Sequence, residues 1–194
     1  MSTTMSAPRL AAAVAALVVP LMAMAATPAQ AVRSLFFEET ASAFWSVPYD
    51  CPDGSSAEGT LLVQSTRDYQ TPDTQDAQPT TRVQFLAVCL DGRSFGWVGF
   101  LPSTITSTRN LKSVHAVGSG TVRDNSGGSH AVSLDVTYTA VGSLMTTVNG
   151  PGSKRVEREA TATGQVSFDG DPIVNGANNH PTRPVPFIRV DTEK

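Results

Sequence analysis

From Lys154 to Phe168 the chain reads KRVEREATATGQVSF, polar and small or apolar residues alternating along its whole length. Successive side chains of a strand point to opposite faces, whereas a helix would scatter this pattern around its circumference. Val156, Ala160, Ala162, Gly164, Val166 and Phe168 share one face, which predicts a single half-buried strand about 50 Å long. A strand of that length bends or protrudes, and the charged stretch from Lys154 to Glu159 reads as its solvated end. The small residues Ala160, Ala162 and Gly164 would let an opposing layer approach closely.

The same period of two recurs through residues 41–47, 58–66, 81–90, 94–101, 111–123, 130–142 and 185–192, while helical spacing is nearly absent. Turn chemistry separates these runs: PYDCPDG after residue 47, Asp91–Gly92 in a tight hairpin, and DNSGGS at 124–129. The polar stretch 67–80 and the Asn- and Pro-rich stretch 174–184 read as irregular. Seven or eight antiparallel strands with no intervening helices predict an all-β domain. An antiparallel β-sandwich is the expectation, with a closed β-barrel as the alternative.

One segment sits awkwardly in a two-layer fold. In FLAVCL (85–90) both faces are apolar, Phe85, Ala87 and Cys89 on one and Leu86, Val88 and Leu90 on the other. Phe44 and Trp45 likewise point to opposite sides. Either a terminal segment carrying Phe36, Phe37, Pro186 and Phe187 lies across the second face, or that face is a binding surface. Cover from within the chain is the expectation.

The first 31 residues are of a different kind. A polar start with one cation, Arg9, precedes an unbroken apolar run from Leu10 to Ala26, and small residues at Ala29 and Ala31 flank Gln30. These are the three regions of a secretory signal peptide, with cleavage expected between Ala31 and Val32 and Ala25 as the secondary site. The run is short and Ala-rich for a membrane span and lacks a cationic flank, so no membrane anchor is expected after cleavage. Val32–Lys194 then forms one domain of adequate size for its own core. Loss of Arg9 takes the formal net charge from −3 to −4, too mild to give an electrostatic footprint for nucleic acid or an anionic membrane.

Export bears on the two cysteines, Cys51 and Cys89. In an oxidising compartment an isolated pair forms a disulfide. Zinc would need four ligands, and neither cysteine has a second Cys or His at ligand spacing. The three histidines, His115, His130 and His180, sit in no cysteine-protease setting. A bridge spanning 38 residues is worth about 4 kcal/mol by restricting the unfolded chain.

Motifs for chemistry are few, and the chain has no HExxH or SxxK. Asp169–Asp171 with Asn175 and Asn178 offers oxygens to calcium, but a polar turn explains them with fewer assumptions. His115 and His130 flank one turn without a third ligand, and Glu157 and Glu159 lie among Lys154, Arg155 and Arg158 at a wet strand end. No metal or cofactor is expected. Trp97, set between Gly96 and Gly99, reads as core, and Trp45 is the candidate exposed platform for a ligand.

The leader, the segments ASAFWSVPYDC and VCLDG, and the late strand REATATGQVSFDG together resemble small secreted all-β bacterial proteins with one disulfide. That resemblance implies export and an all-β fold, and it brings no activity or catalytic residues. The expected function is non-catalytic, binding an extracellular ligand or surface or serving as a structural component. Monomers are favoured over dimers, and a secreted hydrolase without a readable motif is the alternative.

Overall fold

The structure, a computed structural model, describes residues 35–71, 78–178 and 186–193. The expected leader, its cleavage point at Ala31 and Val32, and residues 72–77 of the expected irregular stretch 67–80 lie outside these residues; its residues 67–71 are strand instead, the continuation of the chain's second strand. Ten strands follow one another: β1 Leu35–Asp50, β2 Ser56–Thr71, β3 Thr80–Val88, β4 Ser94–Ser107, β5 Ser113–Asp124, β6 Ser129–Ala140, β7 Met145–Gly150, β8 Ser153–Phe168, β9 Asp171–Ala177 and β10 Phe187–Glu193. A single 3-10 turn at Arg109–Leu111 interrupts them.

All pairings are antiparallel. β1 to β6 form an up-and-down meander, β8 adds to β6, and β10 bonds to both β8 and β1. Ala41 pairs with Ile188, and Ile188 pairs with Arg158, so the sheet closes as a barrel of eight strands. The expectation of a sandwich is corrected to its alternative. Alternation alone looks the same in both architectures, and what decides is that the last strand pairs with the first.

β8 is the hub of the closure. On one edge its C-terminal half pairs with β6 and its N-terminal half with β7. The other edge pairs with β9 and then β10. Asn178 spans the break between β9 and β10, its amide donating to the Ala162 carbonyl at 2.7 Å and its side-chain oxygen accepting from the Ala162 amide at 2.9 Å. Neither β7 nor β9 is foreseen from the sequence. β7 has no apolar alternation to betray it and is exposed up to Gly150, and β9 opens on Asp–Pro and contains a glycine.

Side chains fill the barrel. Trp45, Leu61, Phe85, Trp97, Leu101 and Tyr138 point inward against a lining of Ala41, Ala43, Ala116, Ala160 and Ala162. The inward faces expected for 132–138 and 156–168 are the observed ones. Gly164 is required where β8 crosses β6, since a Cβ there would meet the Asp135 carbonyl and lie 2.8 Å from the Val136 Cα. One polar layer is built into this interior. The Tyr138 hydroxyl donates to the Val63 carbonyl at 3.2 Å, and the Ser65 and Thr81 hydroxyls meet at 3.1 Å. Burial pushes the Tyr138 phenol well above its ordinary pKa.

Two expectations are overturned here. Trp45 is not an exposed platform, because it shares inward parity with Ala41, Ala43 and Val47, and only 1% of it is accessible. Nor do the described parts of the terminal segments cover the second face of FLAVCL. Phe37 and Phe187 belong to β1 and β10 and form barrel wall, leaving Leu86, Val88 and Leu90 exposed.

Candidate functional site

One end of the barrel is built from four tight turns. Two of them repeat a single pattern, Cys51-Pro-Asp-Gly and Cys89-Leu-Asp-Gly. In each, the Cys amide bonds to the carbonyl four residues on, at 2.8 Å, and the glycine amide returns to the Cys carbonyl. Asp53 accepts from the Ser55 amide and Asp91 from the Arg93 amide, both at 2.9 Å, while Gly54 and Gly92 supply φ angles of 84° and 81°. The Cys51–Cys89 disulfide joins these twin turns across a Cα separation of 5.9 Å, as the cysteine count requires. The repeat CPDG/CLDG is visible in the sequence and marks the two turns as partners.

Between the turns an apolar cavity of about 200 Å³ opens to solvent. Val47 and Tyr49 come from β1, Phe85 from β3, Phe95 and Trp97 from β4, and Phe168 from the end of β8. Ile173 of β9 and Pro48 complete the wall. The rings stack: Tyr49 on Phe95 with centroids 5.1 Å apart, and Trp97 on Phe168 at 5.2 Å. Such offset stacks hold flat apolar surface in place before anything binds. Gly59 makes room on β2, because a Cβ there would strike the Phe85 ring. Trp97, expected as core, lines the inner wall at 4% exposure.

Against the outer face of Phe168 lies His130, its ring centroid 4.5 Å away. His130 donates from Nδ1 to Asp169 at 2.7 Å and from Nε2 to Asp124 at 3.1 Å. Asp169 also accepts the Ala131 amide, and Asp124 accepts the amides of Ser126 and Gly128. The hydrogen bond to Asp169, and then that to Asp124, raises the His130 pKa above its ordinary 6.5. The same bonds hold both carboxylates below 3.8. An imidazolium between two carboxylates thus clips the β5–β6 turn to the β8–β9 turn. With both ring nitrogens occupied, His130 has none to offer a nucleophile, which general-base catalysis requires.

The clip sets a pH dependence. The His130 contribution is complete below 6.5 and fades as pH rises through the raised folded value; the carboxylate contributions are complete above 3.8 and fade as pH falls. His130→Gln should therefore lower the melting temperature most near pH 5 to 6 (the approximate middle of that window) and progressively less toward pH 9. A wild-type-minus-variant difference that is flat from pH 5 to about pH 9 would remove the imidazolium from this account.

The remaining candidates are dispersed. His115 points outward on β5 to Asp135 at 2.8 Å and does not approach His130. Asp169 has both oxygens engaged in the clip, and Asp171 lies exposed at the start of β9. Among the described residues no group of His, Cys, Asp or Glu is placed to hold a metal. Glu157 and Glu159 lie on the outer face of β8, near the ion pairs that Arg155 and Arg189 make with Asp191 at 2.8 and 2.9 Å. Comparison with protein-family models, curated proteins and solved structures finds no match to this chain.

Proposed function

We propose that this chain is an exported, disulfide-stapled binding protein, non-catalytic and monomeric, whose barrel mouth takes a small, uncharged, flat apolar molecule. The aromatic cavity carries the reading. An apolar void of about 150 Å³ is enough for a benzene ring, so the 200 Å³ here suits one ring or a compact bicycle. Barrel mouths are recurrent ligand sites, and a wall with almost no polar atoms selects against charge. The leader ending near Ala31 and the Cys51–Cys89 bond support export. The doubly engaged His130 supports binding over hydrolysis.

Titration of the oxidised protein with indole and naphthalene, followed by tryptophan fluorescence, tests the site. Saturable quenching is expected, weakened at least about tenfold by Ile173→Trp, which fills the opening. No binding by either compound, or equal binding by the filled variant, would count against the mouth as the site. Turnover of any chromogenic ester, glycoside or peptide would overturn the non-catalytic reading.

A further inference from the structure

The outer wall of β3, β4 and the end of β5 combines exposed apolar side chains with a local excess of cations. Leu86, Val88, Leu90, Val98 and Phe100 point outward, with exposures running from 44% at Val98 to 87% at Leu90. Contiguous exposed apolar surface of this kind marks an interaction face. No Asp or Glu occurs in β3 or β4, and the only one in β5, Asp124, is held by His130. This occurs in a chain with 17 acidic residues against 14 basic ones.

Cations replace the missing carboxylates. Arg82 pairs in register with Phe100, and Arg123 with Val98. Arg82 donates to the neutral Gln84 at 2.6 Å, and among the described residues no ion pair reaches Arg82 or Arg123. The acid of the adjoining turn, Asp91, is neutralised by Arg93. A shallow groove of about 250 Å³ floored by Gly96 runs between Leu86 and Val98, with Arg123 on its rim.

We propose that this wall docks onto an anionic lipid bilayer, with Leu90 and Phe100 entering the interface and Arg82 and Arg123 resting on lipid phosphates. Apolar side chains beside cations that reach the headgroups are what such a surface binds. A second copy fits less well. A two-fold contact centred on the wall would set Arg82 and Arg123 of one copy against those of the other, and β3 and β4 carry no carboxylate to answer them. Barrel walls are also convex, so a rigid partner touches little of this one, whereas lipids conform to it. The disulfide fixes the base of the Cys89–Arg93 turn, so Leu90 projects without an ordering cost on docking.

Co-sedimentation of the whole oxidised protein with vesicles tests the proposal, using phosphatidylcholine alone and phosphatidylcholine mixed with phosphatidylglycerol. Salt-sensitive binding to the mixed vesicles only is expected. Arg123→Gln and Arg82→Gln should each weaken it roughly fivefold, and the double variant Leu90→Ser, Phe100→Ser should abolish it. Val148→Ser, an exposed apolar site on β7 away from the wall, should bind as wild type. Unchanged circular dichroism in each variant separates docking from folding. Failure to bind mixed vesicles, equal binding to neutral ones, or an equal loss in Val148→Ser overturns the proposal. A dimer in sedimentation velocity that the double variant dissolves would instead assign the wall to a second copy.

Discussion

A chain ending at Asn178 is expected not to fold. Truncation there removes β10, which bonds to β1 over Phe36–Ser42 and to β8 over Lys154–Glu159. Two edges open at once in a domain whose core faces the barrel axis, so water enters from the side. Ile188 is wholly buried in this strand, between Ala41 and Arg158. The truncated chain should show no cooperative urea transition and should bind a hydrophobic dye strongly. Ile188→Ala gives a graded version, expected to lose about 3 kcal/mol as a shift in the urea midpoint. A truncated chain that unfolds cooperatively at the wild-type midpoint would show that closure by β10 is dispensable.

Removing the disulfide has the next largest effect. Cys51→Ala with Cys89→Ala should destabilise the domain by about 4 kcal/mol, from the 38-residue separation of the two positions. The bond is also local to the mouth, where it ties the turn after β1 to the turn after β3. Both cysteines are buried, at 6% and 5% exposure, so reductant should reach them only when the chain opens. Equilibrium urea unfolding with and without reductant, with the double variant as reference, is the measurement. Midpoints that coincide in all three would mean that the bond contributes nothing.

The sequence discloses the walls of this molecule better than its closure. Alternation from 154 to 168 and from 132 to 138 identifies the inward residues correctly, because one-sided burial forces period two in any β architecture. Turn chemistry at Asp91–Gly92 and the even cysteine count are equally direct. Sandwich and barrel share those signals, and β9 looks irregular because its first residues are Asp and Pro. Trp45 and Phe44 are equally apolar neighbours, and only the small residues at 41 and 43 that share its parity tell which ring turns inward.

The mouth is less legible still. Its rings come from β1, β3, β4 and β8, and no local spacing unites them. His130 and Asp169 stand 39 residues apart, and only the closing of β6 on β8 brings them into contact. Charge is hidden for a different reason. A net count of −3 averages over the chain, whereas Arg82 and Arg123 share a wall whose one carboxylate, Asp124, is held by His130.

The pairing of first strand with last also sets a timetable. Synthesis delivers β1 at the outset and β10 at the end, so the edge of β1 from Phe36 to Ser42 must wait for nearly the whole domain to be made. Of all the ladders this one spans the longest loop, the kind of contact that slows folding. Throughout that delay the growing chain carries an unsatisfied strand edge open to other chains. The buried polar side chains of Thr40 and Ser42 make that waiting edge less adhesive than an all-aliphatic one.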